Sequence, residues 1–360
     1  MKKIIFFAKD LNIGGIEKAI INLLNNLINY YDVTLVLEEY SGIYRNNLSK
    51  KIKVVIYKPN SNKNIIIRKV ANFINRLKFI KQNYHKYDFS CAYAPYLFSA
   101  CKLSKICSKN NAIYVHSDYT KIYNEKNFKI FFNKREIESF KHIIFVSNEG
   151  KKNFIKIYPK LSDKCKVISN LINEEEILTK SKEDIKIKVN SKNIIFIFVG
   201  RLDEPAKRLT RMLKCFKILL ESEKNIELWI IGDGPYYNLY KNHIKEYNIE
   251  ENVKMFGKQI NPYKYMNKAN YLILTSDYEG MPVVFNEANI LDKPVISTLN
   301  VSDEYFSIEN GMGFIISKNP KKMANQIKNI IGKKFNVKRI DYKKANIDRI
   351  NRLRRIIDEV

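Results

Sequence analysis

The sequence predicts two doubly wound α/β domains, and three observations predict them. Short apolar runs such as residues 2–8 (KKIIFFA) and 193–199 (NIIFIFV) read as strands buried on both faces. Each run leads through a loop into apolar residues at helical spacing, the strand–helix alternation of a parallel sheet. The alternation comes as two series of about 160 residues, separated by a polar, poorly patterned stretch at 177–192 that reads as a linker. A length of 360 residues suits two domains, and a hydrophobic content of 45% supplies two cores.

In the first series, residues 2–8 form the opening strand. A loop with Gly14 and Gly15 follows, and residues 17–27 continue as a helix. Strand, glycine pair and helix make a phosphate-loop geometry, because glycine lets backbone amides approach an anion closely. Neither the Gly-x-Gly-x-x-Gly of a dinucleotide fold nor the Lys-Ser/Thr of a P-loop is present. Residues 33–37 and 52–57 are the next strands. From Tyr40 to Tyr87 there is no Asp or Glu. Within that span, residues 65–80 place Ile66, Val70, Phe73, Ile74, Leu77 and Ile80 at helical spacing. Arg68, Lys69, Arg76 and Lys78 lie among them, with Lys81 just beyond. Such a helix suits an anionic membrane surface, where each cation adds about 1 kcal/mol. A core-facing helix with a basic solvent face gives the same pattern. Residues 89–94 are a strand, 96–107 a helix, and 112–115 a strand ending at His116. A histidine there sits where open α/β sheets bind ligands, though a purely structural histidine is the plainer alternative. Residues 130–140 read as a helix, and 142–146 and 166–169 as strands.

In the second series, the strand at 193–199 ends in Gly200-Arg201, and Lys207-Arg208 open a helix running to 221. A guanidinium and an ammonium above the strand's carboxyl end suit a diphosphate. A strand at 227–231 ends in Gly232-Asp233-Gly234-Pro235. Helix 236–247, strand 253–256 and a loop at 257–262 follow. Strand 270–274 leads into TSDYEGMPVVFNE, residues 275–287. That stretch holds Glu279 and Glu287 eight positions apart, with Gly280 and Pro282 bracketing a helix start. Backbone amides from Gly280 through Met281 to Val284 offer an anion site, and Glu287 lies about two turns inside the helix. An acid-enriched helix start with a second, solvated glutamate is the bland alternative. Residues 294–297 are a strand, 320–331 a helix, and 339–360 a charged helical tail.

These motifs, in this order, resemble the retaining glycosyltransferases of family 4, which have the GT-B fold. The resemblance rests on Gly14-Gly15, His116, Gly200-Arg201, Gly232-Asp233-Gly234 and the Glu279/Glu287 pair, and is densest between 193 and 295. It implies two Rossmann-like domains facing across a cleft. The acceptor-binding domain would span 1–172, joined by the last helix from about 339 to 360. The nucleotide-sugar domain would span 173–338. A free coiled-coil tail is the alternative for that last helix. The resemblance further implies that Glu279 and His116 contact the donor sugar and reaction centre, and that Glu287 binds the ribose. Arg201, Lys207 and the amides of Gly280 and Met281 would hold the diphosphate, with Gly14, Gly15, Gly200, Gly232, Asp233 and Pro282 shaping the donor site. The loop at 257–262 would lie near the base. The family spaces its Arg and Lys five apart; here Lys207 is six away and Arg208 follows, so either cation fits. The family also has a Pro after Asn170, where this chain has Leu171.

Composition bounds the partners. A net charge of +27 calls for an anionic partner, nucleic acid or an acidic membrane surface, unless it reflects the composition of the source genome. No apolar run reaches the roughly 18 residues of a membrane span, and the apolar part of the start is short for a signal peptide. Five cysteines without a Cys-x-x-Cys fit a reducing cytoplasm. No Asp-x-Asp occurs, so diphosphate binding without a metal is expected, and no cofactor is implied. The expected partners are a nucleotide-sugar donor, a lipid-linked or oligosaccharide acceptor and an anionic membrane surface, with no nucleic acid. Membrane contact would run through Arg68, Lys69, Phe73, Arg76, Lys78 and Lys81 from the cytoplasmic side. A nucleotide-sugar epimerase of the same fold and a non-catalytic nucleic-acid binder are the rival readings.

Overall fold

The computed structural model describes residues 1–359 and divides into two compact units, residues 1–171 with 346–359 and residues 172–345. Unit 1 carries β1 (Lys3–Ala8), α1 (Gly15–Leu27), β2 (Asp32–Leu37), β3 (Lys53–Ile56), α2 (Ile65–Asn83), β4 (Phe89–Ala92), α3 (Phe98–Cys107), β5 (Asn111–Val115), α4 (Glu125–Asn133), β6 (His142–Phe145), α5 (Asn148–Ile157) and β7 (Cys165–Val167). Its sheet runs β3-β2-β1-β4-β5-β6-β7, and every pair is parallel. Both faces are covered, which is why β1, β4, β5 and β6 are near-continuous apolar runs. An aromatic layer of Phe128, Phe132, Phe140, Phe145 and Phe154 fills one face; each buried ring contributes about 1.5–3 kcal/mol.

Unit 2 carries α6 (Glu174–Ser181), β8 (Ile194–Val199), α7 (Glu204–Lys207), α8 (Leu209–Leu219), β9 (Ile226–Ile231), α9 (Tyr237–Glu246), β10 (Val253–Gly257), α10 (Tyr263–Lys268), β11 (Tyr271–Leu274), α11 (Val283–Ile290), β12 (Val295–Ser297), β13 (Gly313–Ile315) and α12 (Pro320–Ile330). Its parallel sheet runs β10-β9-β8-β11-β12-β13. The final helix, α13 (Tyr342–Asp358), starts in unit 2, where the Tyr342 hydroxyl donates to Asn286. From Asn346 onward it belongs to unit 1, where Tyr31 donates to Asp358 (3.0 Å) and the Asn110 amide to the Ile356 carbonyl (2.9 Å). No helix of the described residues is long and apolar enough to cross a membrane.

Four elements differ from expectation. The linker at 177–192 begins inside a helix: Asn173 caps α6 and three glutamates fill its first turn, complementing the helix dipole. The helix expected at 130–140 is α4, which starts at Glu125 and stops at Asn133; Glu136, at φ 52°, breaks the path. The single helix expected from Lys207 is two, because Arg208 takes a left-handed backbone (φ 52°) between α7 and α8. Residues 339–341 precede α13 rather than begin it, and Arg339 bonds the Ile290 carbonyl of unit 2.

Candidate functional site

In unit 2, β8 and β11 are neighbours whose onward connections leave to opposite sides of the sheet. This topological switch point is where open parallel sheets bind ligands, beyond the strands' carboxyl ends. Two loops meet there. The loop after β8 carries Gly200 and Arg201, and the loop after β11 carries Thr275 to Pro282. They are tied together through α7. The Ala206 carbonyl accepts from the Asp277 amide (2.8 Å), and the Thr275 hydroxyl bonds the Lys207 (3.1 Å) and Arg208 (3.0 Å) carbonyls.

Asp277 gathers three cations: Arg208 Nε at 2.5 Å, Arg211 Nη2 at 2.9 Å and Lys318 Nζ at 3.1 Å. Burial opposes its ionisation, but the hydrogen bonds from Arg211, Arg208 and Lys318 override that and hold its carboxyl down to about 2. A depressed carboxylate contributes stability that is present above its unfolded pKa, about 3.9, and is lost as pH falls through the folded value. Asp277→Asn should therefore lower the urea midpoint at pH 7 and converge with wild type near pH 2; an equal deficit at both pH values would refute this.

With Arg208 committed to Asp277, Lys207 is the cation turned to the other acid. Its Nζ lies 2.5 Å from Glu279 Oε1, and the Ser276 hydroxyl donates to the same oxygen (2.7 Å). Arg201 is exposed and makes no ion pair or hydrogen bond among the described residues. A Cβ on Gly200 would lie 3.7 Å from Lys207 Cε. Gly232 (φ 149°) and Gly234 back the β8 loop: a Cβ on them would fall 1.8 Å from the Gly200 carbonyl oxygen and 2.3 Å from that of Leu202. Asp233 is exposed, and its carboxylate accepts from the Gly234 amide.

Pro282 is the N-cap of α11 rather than a member of its first turn, so the free amides there are those of Val283 and Val284, after the buried Gly280 and Met281. Glu287 is the fifth residue of α11, little more than one turn in, and is buried where it accepts from the Tyr263 hydroxyl (3.0 Å). Sequence reading passed over Tyr263, Ser276 and Asp277. The two in the loop flank the glutamate motif and were open to notice; Tyr263 had no local signal.

Unit 1 repeats the geometry. Its switch point lies between β1 and β4, and a small cavity there is lined by Asp10, Glu17, Tyr93 and Tyr96. Gly14 is the N-cap of α1 and Gly15 its first residue. The Glu17 carboxylate folds back over Gly14, 2.0 Å from where a Cβ would sit, so the glycine makes room for it. Burial raises the Glu17 pKa; its own backbone amide lowers it and Asp10 raises it further. His116 directly follows β5, stacked with Tyr114 and against Tyr93 (ring centroids 5.5 and 4.6 Å). Burial lowers its pKa to about 4, so the ring is neutral at pH 7. Neither ring nitrogen has a hydrogen-bond partner, although the nearby Tyr93 backbone pulls the pKa the other way.

Helix α2 lies apart from both switch points in chain terms and buries only Phe79. Ile66 is 74% exposed, Phe73 53% and Leu77 47%. Arg68, Lys69, Lys78 and Lys81 are exposed, and the Arg76 guanidinium lies over the Phe73 ring at 5.7 Å. Phe79 packs one face of the helix on Phe7 and Tyr57 of unit 1, while Ile66, Phe73 and Leu77 stay outside the core.

Comparison with known proteins agrees with this layout. Residues 13–176 match the family model Glycosyltransferase Family 4, and residues 179–347 match Glycosyl transferases group 1. An uncharacterized glycosyltransferase of Methanocaldococcus jannaschii is 31% identical over 159 residues, 43% of this chain and 39% of that protein. The Campylobacter jejuni N-acetylgalactosamine-N,N'-diacetylbacillosaminyl-diphospho-undecaprenol 4-alpha-N-acetylgalactosaminyltransferase is 26% identical over 53% of this chain and 49% of its own length. The Staphylococcus aureus capsular polysaccharide biosynthesis glycosyltransferase CapH is 29% identical over 61% and 59%. The chain thus spans about half the length of the curated relatives it matches. Among solved structures, Anabaena HepE in complex with UDP and glucose superposes at a TM-score of 0.76 with 16% identity, covering all of both chains. S. aureus TarM in complex with UDP gives 0.74 at 12% identity, also over both whole chains. At those identities the structures speak to the fold, which is GT-B. With two adjoining models of one family matched in order across both units, the chain belongs to the group 1, family 4 glycosyltransferases.

Proposed function

We propose that the chain moves a hexose-type sugar from a nucleotide-sugar donor, a UDP-sugar, to an acceptor hydroxyl with retention at the anomeric carbon. The observation that carries this reading is the Lys207–Glu279 pair at the unit 2 switch point, with Arg201 exposed on the adjoining loop after β8. Arg201 and Lys207, with the amides at the start of α11, would take the leaving diphosphate. Glu279 would hold donor-sugar hydroxyls, and Glu287, with Tyr263, the ribose. His116, neutral and with free nitrogens, would position the sugar. Stabilising the departing charge is the main catalytic task, and the leaving phosphate oxygen accepts the acceptor's proton. Two cations and helix amides suffice to neutralise the diphosphate without a metal. The anomeric configuration of the product tests this by NMR. Retention is expected, inversion would overturn it, and a free epimer formed without acceptor would favour the epimerase.

The acceptor is proposed to be a lipid-linked saccharide in capsule, exopolysaccharide or lipopolysaccharide synthesis, met at the cytoplasmic membrane surface. The names of the relatives and the exposed face of α2 support this. An apolar stripe among cations suits an interfacial helix on anionic lipid, whereas single-stranded nucleic acid would call for several aromatics, and Phe73 is the one on that face. Flotation with anionic vesicles should recover the protein, and Phe73→Glu should cut recovery several-fold. Equal recovery on neutral vesicles would contradict the assignment.

A further inference from the structure

Resting on that donor reading, one feature of the site concerns how its two halves communicate. The ammonium proposed for the diphosphate and the carboxylate proposed for the sugar are paired with each other. Lys207 Nζ and Glu279 Oε1 are 2.5 Å apart, and both side chains are about five-sixths buried, 16% and 15% exposed. The same oxygen also accepts from Ser276, so Glu279 is held while Lys207 is engaged. At that depth breaking the pair costs more than breaking a surface bridge, because it leaves whichever partner is not recaptured uncompensated. Arg201, by contrast, is exposed and unpaired, and Arg208 is occupied by Asp277.

We infer that the Lys207–Glu279 pair is a latch that a whole nucleotide sugar opens and a free nucleoside diphosphate opens poorly. A diphosphate that draws Lys207 away leaves the Glu279 carboxylate with Ser276 alone, next to added negative charge. A donor sugar supplies hydroxyls that donate to Glu279 at the same moment. Each half of the ligand thereby raises the affinity for the other, and the coupling is reciprocal. The latch makes the enzyme discriminate the substrate from its own nucleotide product, whose release it favours. Glu279 then has an effect on diphosphate affinity opposite in sign to its effect on turnover.

Calorimetric titration with UDP and with a UDP-hexose tests this on wild type, Glu279→Gln, Lys207→Met and the double variant, with melting curves confirming the fold of each. Glu279→Gln should bind UDP about tenfold more tightly than wild type while losing the advantage of UDP-hexose over UDP. The tenfold gain should vanish in the Lys207→Met background. Ser276→Ala, which removes only the hydroxyl donor to the carboxylate, should leave UDP affinity below that of Glu279→Gln. A gain that persists without Lys207 would be plain charge repulsion and would overturn the latch, as would unchanged or weaker UDP binding by Glu279→Gln. Tight UDP binding by wild type with no gain in Glu279→Gln sinks the latch and leaves the donor site standing. Absence of binding in all five proteins sinks both.

Discussion

Lys207→Ala is expected to lower sugar transfer by about 10²–10³-fold, equivalent to about 2.7–4 kcal/mol, in a protein that still folds but melts lower because Glu279 loses its partner. The size follows from removing one fixed donor at the point where charge develops on the leaving diphosphate. Arg201→Ala should cost more than tenfold for the same reason. Arg208→Ala should act differently, because its guanidinium bonds Asp277 and does not face Glu279. It should mainly loosen the loop after β11 and lower stability, with a smaller effect on turnover. Steady-state kinetics beside thermal melts separates the cases. Wild-type turnover in Lys207→Ala, or a larger loss in Arg208→Ala, would reverse the assignment of the two cations.

Gly232→Ala is the second large effect. Its backbone (φ 149°) is one that L-residues rarely adopt, and a Cβ would sit 1.8 Å from the Gly200 carbonyl oxygen. The strained conformation alone costs about 1–3 kcal/mol. The overlap adds to this, because the obstacle is main chain and cannot rotate aside. Relief requires the Gly200–Leu202 segment to move, which would displace Arg201. Both a lower urea midpoint and weaker nucleotide affinity should follow. A variant with wild-type stability would show that the two loops are less closely packed than the structure has them.

Much of the fold could be read from the chain because parallel sheets demand continuous apolar strands. Runs such as IIFIFV and IELWII tolerate no other burial. The misread elements share a cause. The break at Arg208 is a backbone conformation imposed on a residue with no local preference for it, while Asp277, 69 positions away, holds its side chain. The same long-range contact separates Lys207 from Arg208, so spacing alone left both open. In α6 the signal was present, an Asn cap followed by three glutamates, but a polar stretch between domains masked it. At the site, the glutamates of the 275–287 motif and Arg201 are visible by local pattern. Tyr263 is not, since it meets Glu287 only in the folded unit, where α10 and α11 each pack against α6. Asp10 and Glu17 flank the glycine pair and are charged residues beside an apolar strand, a cue that the glycines overshadowed.

The most direct test of the account is thermal stabilisation by a panel of nucleotide sugars in the presence of EDTA, with Lys207→Ala measured beside wild type. A ligand at 100 times its dissociation constant adds about 2.7 kcal/mol of stability. A clear rise in melting temperature is expected with UDP-sugars, and it should be lost in Lys207→Ala. A rise with none of them, or one that is undiminished in Lys207→Ala, would contradict the placement of the donor at the carboxyl ends of β8 and β11.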